Sequence, residues 1–344
     1  MSNRHLKSRF LVGVATGALL FAAGAKPATA GPMHAEEQAA ETPAPAPCPA
    51  CATAEAAAVN NGNLSLTLQN DFTTAYYFRG ILQENDDMIW EPSIGIGLKL
   101  YSSEDGVLRT ASVGVGTWES VHSDHTGSSG GGPNAWYEAD IYPSMTLTWA
   151  GGLTTGVTYY WYTSPNNAFN TTEEVDVNLG FDDSPYLDKF ALHPSLTLAF
   201  ETKGSSFQEF VSGGTRGHGK GSVAIIGLAP SYAFGFMGDD YPLTVTMPIS
   251  VALSMDSYYR DATHDDTFGY ASIGLNANIP LAFIPKTYGT WSVTNGINVL
   301  FLSKALEDVN SSSLACTQPG CDVDAAADGH DVVPVWTSSI ILSY

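Results

Sequence analysis

The chain ends on Val333-Pro334-Val335-Trp336-Thr337-Ser338-Ser339-Ile340-Ile341-Leu342-Ser343-Tyr344. Trp336, Ser338, Ile340, Leu342 and Tyr344 fall on one side of an extended segment; Pro334, Thr337, Ser339 and Ser343 are read on the other. A period of two with one apolar face is the pattern of a strand covered on one side. Such a strand needs partners, and the residues upstream are read for them.

The same alternation runs through 63–344. Twelve strands are expected, at 64–79, 88–101, 107–121, 135–150, 153–164, 171–182, 189–202, 222–236, 241–257, 268–282, 290–302 and the final stretch. The ninth is the clearest: Leu243, Val245, Met247, Ile249, Val251, Leu253 and Met255 alternate with Thr244, Thr246, Ser250 and Ser254. Connections after odd strands are long or polar, as at 122–134, 203–221 and 303–332; those after even strands are mostly short, as at 102–106 and Gly151-Gly152. Trp149, Trp291, Tyr101, Tyr288 and Tyr344 lie beside the short turns, and Trp90, Trp118, Trp136, Trp161, Trp336, Tyr258 and Tyr259 near the long loops. Long loops at one end, short turns at the other and an aromatic girdle at each edge predict an all-β fold, a closed antiparallel transmembrane β-barrel of about twelve strands. A soluble β-sandwich is the alternative, but it needs neither the loop alternation nor uniform apolar rows.

The N-terminus predicts export. Arg4, Lys7 and Arg9 precede an apolar run at 10–25, and Ala28-Thr29-Ala30 supplies a small-residue cleavage site, so residues 1–30 are expected to be a signal peptide rather than a membrane anchor. Residues 31–62 are Pro/Ala-rich, lack an apolar period and read as a disordered linker before the barrel of 63–344. No later apolar run is long enough for a membrane-spanning helix, which leaves a closed barrel as the way to cross a bilayer. The expected location is the Gram-negative outer membrane, with lipid, lipopolysaccharide and the barrel assembly machinery as partners.

Charge narrows the function further. The chain carries 35 Asp and Glu against 14 Lys and Arg, a net charge of −21. Losing Arg4, Lys7, Arg9 and Lys26 with the signal takes this to about −25. Such a surface repels nucleic acid and suits cations. In an oxidising compartment the close pairs Cys48/Cys51 and Cys316/Cys321 are expected to form local disulfides. Met33, His34, Cys48 and Cys51 are the rival, a soft-metal set, but the surrounding Ala/Pro sequence offers no scaffold, and no metal or other cofactor is expected.

Tyr77-Phe78-Arg79-Gly80, Gly227-Leu228-Ala229-Pro230-Ser231-Tyr232, Asp256-Ser257-Tyr258-Tyr259 and Phe283-Ile284-Pro285-Lys286-Thr287-Tyr288-Gly289 resemble the TorF-type porin family over most of 63–344. The resemblance implies an outer-membrane barrel with a porin role and carries no catalytic residues over.

The expected lumen face holds Asp71, Arg79, Lys99, Glu119, Glu138, Asp140, Glu174, Asp176, His193 and Glu201. Arg79 is read as the end of the first strand, in a structural ion pair with a lumen carboxylate. An acidic, water-filled lumen favours passive diffusion of small polar or cationic solutes. A polar interior filled by its own side chains is the alternative, and would make a non-conducting barrel that works through its external loops. Those loops carry acid clusters, among them Glu84, Asp86 and Asp87; Asp261, Asp265 and Asp266; and Asp322, Asp324, Asp328 and Asp331. They suit divalent cations but lack EF-hand spacing. The stretch 213–222 is Gly-rich and contains Lys220, yet Gly221 stands where a phosphate loop needs Ser or Thr, so it reads as a loop. His122, His125, His218, His264 and His330 are placed in loops, no nucleophile–base–orienter set emerges, and no enzyme is expected.

Overall fold

The computed structural model describes residues 62–85, 88–123, 133–204, 220–235, 242–260, 265–312 and 330–344. The expected signal peptide and nearly all of the linker lie outside these residues, as do most of the Gly-rich stretch and the last acidic loop. The two expected disulfides also fall outside them: Cys48 and Cys51 precede the first described residue, and Cys316 and Cys321 lie between 312 and 330. The rival metal set of Met33, His34, Cys48 and Cys51 is outside for the same reason.

The chain opens with β1 (Leu64–Thr73) and then leaves the wall for a separate hairpin, β2 (Tyr76–Phe78) and β3 (Ile81–Glu84). The wall resumes at β4 (Ile89–Ser102) and continues through β5 (Leu108–His122), β6 (Trp136–Trp149), β7 (Leu153–Thr163) and β8 (Thr172–Phe181). A short helix, α1 (Ser184–Leu187), precedes β9 (Ser195–Lys203). Next come β10 (Ser222–Leu228), β11 (Ser231–Phe234), β12 (Leu243–Thr246) and β13 (Ile249–Asp256). Pro230 separates β10 from β11, and Pro248 separates β12 from β13. Proline has no N–H to give the ladder, so each pair is one wall strand with a break. A second small pair, β14 (Tyr259–Arg260) and β15 (Asp265–Asp266), leads to β16 (Phe268–Pro280) and β17 (Thr290–Leu302). Helix α2 (Lys304–Ser312) and β18 (Val332–Ser343) complete the described chain.

The wall is thus twelve antiparallel strands, and it closes. β18 pairs with β17 on one side and with β1 on the other, from Thr67↔Ser343 to Thr73↔Thr337. Leu66 and Tyr344 exchange backbone hydrogen bonds of 2.8 Å in both directions, so the seam reaches the last residue. Among the described residues the ladder runs all round the wall, with β11 alone paired on one side only, to β12; pairing of this kind is the condition for strands to cross a bilayer.

Alternation sorts the side chains into an outer and an inner set. Leu98, Ile96, Val115, Met145, Val157, Phe200, Ile226, Leu275, Ile297 and Ile340 stand outward, each more than two-fifths exposed. An apolar belt of that extent around a whole molecule is a lipid-facing surface. In β18 the outward row is Pro334, Trp336, Ser338, Ile340, Leu342 and Tyr344; Pro334 therefore joins the row opposite to the one expected for it. Exposed Tyr101, Tyr288 and Tyr344 mark the short-turn end, and Trp136 and Trp161 the long-loop end. Trp118, Tyr258 and Tyr259 depart from the expected outer girdle, since all three are buried inside the barrel.

One connection departs from the sequence reading. β9 begins at Ser195 rather than 189, because Asp188 and His193 have φ of 50° and 48°, which an extended strand excludes. The turn 182–194 is held by the carboxylate of Asp183, which accepts from the backbone N–H of Leu192 at 2.9 Å and of His193 at 2.9 Å. Burial acts to raise the pKa of Asp183, but these N–H groups outweigh it and hold the carboxyl below its usual value. Its folded-state pKa being depressed, the stability it contributes is present above the ordinary carboxylate pKa and is lost as pH falls through the folded value. Asp183→Ala is expected to lower the melting midpoint in detergent by roughly 2–5 °C at pH 7. The difference from wild type should shrink at pH 3, as followed by circular dichroism.

Candidate functional site: a plugged acidic lumen

The site starts from the β2–β3 hairpin, which folds into the barrel at the long-loop end instead of prolonging β1. Arg79 and Gly80 form its two-residue turn, with φ of 50° and 87°. Two successive positive φ values make the primed turn whose twist matches a hairpin. Gly80 is required twice over, since a Cβ there would also lie 2.6 Å from Leu306 Cδ1 of α2. Ile81, Leu82 and Tyr77 of the hairpin pack with Ala305, Leu306 and Val309 of α2, and both rest on Val223, Ala252, Tyr270, Leu300 and Val335 of the wall. Asn310 joins the two polar edges: its amide oxygen accepts from Leu82 N–H at 2.9 Å and its amide nitrogen donates to Gly80 C=O at 3.0 Å. Hairpin and helix therefore form one plug with its own apolar core.

The plug carries a single buried cation. Arg79 donates to both carboxylate oxygens of Glu174 on β8, at 2.6 and 2.5 Å, and to the Tyr258 hydroxyl at 3.0 Å. Asp176 lies 3.7 Å from the same guanidinium. The guanidinium also stands 5.0 Å from the Phe78 ring centroid and 5.5 Å from that of Tyr258, within cation–π range. The bidentate carboxylate of Glu174 offsets the cost of burying this guanidinium. The pair pins the hairpin tip across the lumen to the far wall.

A row of acids continues round the wall. Asp71 on β1 faces Glu91 on β4, and on β6 Glu138 stands opposite Ser120 and Asp140 opposite Trp118 of β5. All four carboxylates are buried. Asp71 accepts from the Gln69 amide at 2.8 and 3.0 Å, and Glu138 accepts from the Tyr76 hydroxyl at 2.8 Å. Glu91 Oε1, Asp140 Oδ1 and Asp176 Oδ1 have no hydrogen-bond partner. Toward the short-turn end the inward rows become mostly small and neutral, with Lys99 the exception. Ser65, Gly97, Gly114 and Ser144 lie side by side across four strands, and inward Thr148, Gly156 and Asn178 are partly exposed.

Asp71, Glu138, Asp140, Glu174, Asp176 and Glu201 all stand on inward rows in the long-loop half, and Arg79 reaches them from the plug rather than from the end of a strand. Lys99 keeps the inward parity of Ser93, Gly95 and Gly97, in register with Ser112, but is exposed at the short-turn end just before a bulge at Lys99/Tyr101. Two residues are elsewhere. Glu119 takes the outward row with Val113 and Val115, because Trp118, Ser120 and His122 fill the inward one. His193 lies in the turn before β9, with Nδ1 3.8 Å from Asp183. Glu91 was missed by sequence reasoning, although it shares the parity of Ser93 and Gly95. Tyr76 and Trp118, with ring centroids 5.1 Å apart, were missed as inward aromatics.

His122 is not in a loop but ends β5, buried and stacked on Tyr137. Its Nε2 lies 2.8 Å from Ser120 Oγ, and its Nδ1 lies 3.7 Å from Glu84. The order is that of a hydrolytic triad. However, Ser120 is wholly buried, and 3.7 Å exceeds a hydrogen bond, so these contacts serve packing.

No family model matches the chain, and no curated protein matches it. Among solved structures, the β domain of the Bordetella autotransporter BrkA is 9% identical with a TM-score of 0.39, covering 81% of this chain and 99% of that one. The NanC porin is 10% identical with a TM-score of 0.38, covering 81% and 98%. An outer-membrane channel from Pseudomonas putida F1 is 9% identical with a TM-score of 0.40, covering 82% and 94%.

Gly80→Val tests the plug. The branched side chain is disfavoured at positive φ and meets Leu306, so the cost is expected to be about 2 kcal/mol or more. Protease cleavage within 76–84 should accelerate while the wall keeps its β-sheet spectrum; a resistant hairpin would contradict the packing described.

Proposed function

We propose that the protein is an outer-membrane porin-type barrel that resists passage at rest and passes small polar or cationic solutes when the plug moves. The observation that carries this reading is the excess, among the described residues, of buried inward carboxylates over the buried Arg79, in a lumen whose other half is lined mainly by Gly, Ser, Thr and Asn. Such a wall biases a pore toward cations. The TorF-type resemblance belongs to the same reading. So do partners at the membrane: lipid and lipopolysaccharide against the apolar belt, the assembly machinery at the final strand, and divalent cations at the acidic loops.

The plug favours a second reading. Ile81 and Leu306 are fully buried in its core, as in a permanent filling, and this would give a non-conducting barrel that acts through its loops.

Planar-bilayer recordings of refolded full-length protein separate the two. Wild type is expected to show low or intermittent conductance with cation preference, and Arg79→Gln at least a several-fold increase. Silence in both proteins would establish the non-conducting reading, and anion preference would overturn the role given to the acids.

A further inference from the structure

Among the described residues seven carboxylates are buried along the inward wall: Asp71, Glu91, Glu138, Asp140, Glu174, Asp176 and Glu201. Arg79 answers Glu174 and Asp176. That leaves the row of Asp71, Glu91, Glu138 and Asp140 without a cationic side chain in contact among the described residues. Two of its members point to a missing partner. Glu91 is 2% exposed and Asp140 8%, and each has one oxygen that accepts nothing. Buried acceptors without donors are costly, and clustered like charges more so. A donor-bearing cation relieves both costs.

The type of cation follows from the surroundings. No three acidic or histidine side chains among the described residues converge as metal ligands. The acids are spread along a row and flanked by aromatic rings: Tyr76 donates to Glu138, and Trp118 stands opposite Asp140 in register. Carboxylates beside π-faces suit a planar or extended organic cation with several N–H donors. The molecule contains the precedent, since Arg79 is a guanidinium held by Glu174 with the Phe78 and Tyr258 rings beside it.

We propose that the Asp71–Glu91–Glu138–Asp140 row binds a guanidinium- or ammonium-bearing solute entering from the short-turn end, and that Arg79 is a tethered competitor closing the neighbouring half of the same acidic wall. Arg79 holds Glu174 and Asp176, so its removal frees those two acids for the same solute. This names the solute class for the pathway proposed above and rests on that reading, but its test measures binding rather than conduction. Binding without conductance would keep the inference and overturn the pathway; conductance without binding would do the reverse.

The experiment is isothermal titration of agmatine, a guanidinium-bearing diamine, into the refolded full chain in detergent, with MgCl₂ and glutarate as controls. Saturable agmatine binding is expected, weakened at least tenfold by Glu91→Gln or Asp140→Asn and tightened several-fold by Arg79→Gln. The Glu91→Gln and Asp140→Asn changes keep side-chain volume, and the β-sheet spectrum verifies folding before titration. Lack of agmatine binding in both wild type and Arg79→Gln would overturn the proposal. Equal affinity in folded Glu91→Gln would overturn it too, as would binding of Mg²⁺ alone.

Discussion

A polar group at hydrocarbon depth must find its partner inside the protein, and both layers of this structure follow from that constraint. For the backbone the answer is closure. β18 pairs with β17 and with β1, and the Leu66–Tyr344 bonds carry the seam to the last residue. Because closure fixes the side-chain period, it also decides which residues meet lipid and which meet one another.

For the side chains the answer is the plug. Twelve strands enclose a space, and the long-loop half fills it with the hairpin, α2 and the aromatic rings of the inward rows. Arg79 brings a buried guanidinium to a wall of acids, and its bidentate contact with Glu174 fixes where the hairpin lies. Breaking a buried ion pair from one side costs about 3–5 kcal/mol, because it strands the other charge. Among the described residues the short-turn half has no such filling, and there the inward residues are, Lys99 apart, small, neutral and partly exposed.

The wall was legible in the sequence because period-two alternation reports directly on a face, and twelve strands with alternating loop lengths were read from it. What escaped was whatever breaks the alternation. Residues 64–79 read as one strand, since nothing in Tyr76, Tyr77 and Phe78 distinguishes a wall strand from an inward hairpin; the sign was Arg79-Gly80, a two-residue turn set between Tyr76-Tyr77-Phe78 and Ile81-Leu82. His193 was assigned by parity to a strand that positive φ prevents. Glu119 and Trp118 stand on the faces opposite to those expected because the lumen has rings of its own to pack, and Trp118 stacks among them instead of joining a girdle. Burial at the site is tertiary, so the distinction between Glu91 with an unfilled oxygen and Glu174 with a partner was never in the pattern.

The central claim is that the buried Arg79–Glu174 pair ties an internal plug to a closed wall. A double-mutant cycle on unfolding in detergent, with Arg79→Ala, Glu174→Ala and the double variant, tests it most directly. Each single change is expected to cost about 3–5 kcal/mol and the double change little more than either, a coupling of about 3 kcal/mol. Additive costs would mean that the two side chains do not meet, and would contradict the plug as described.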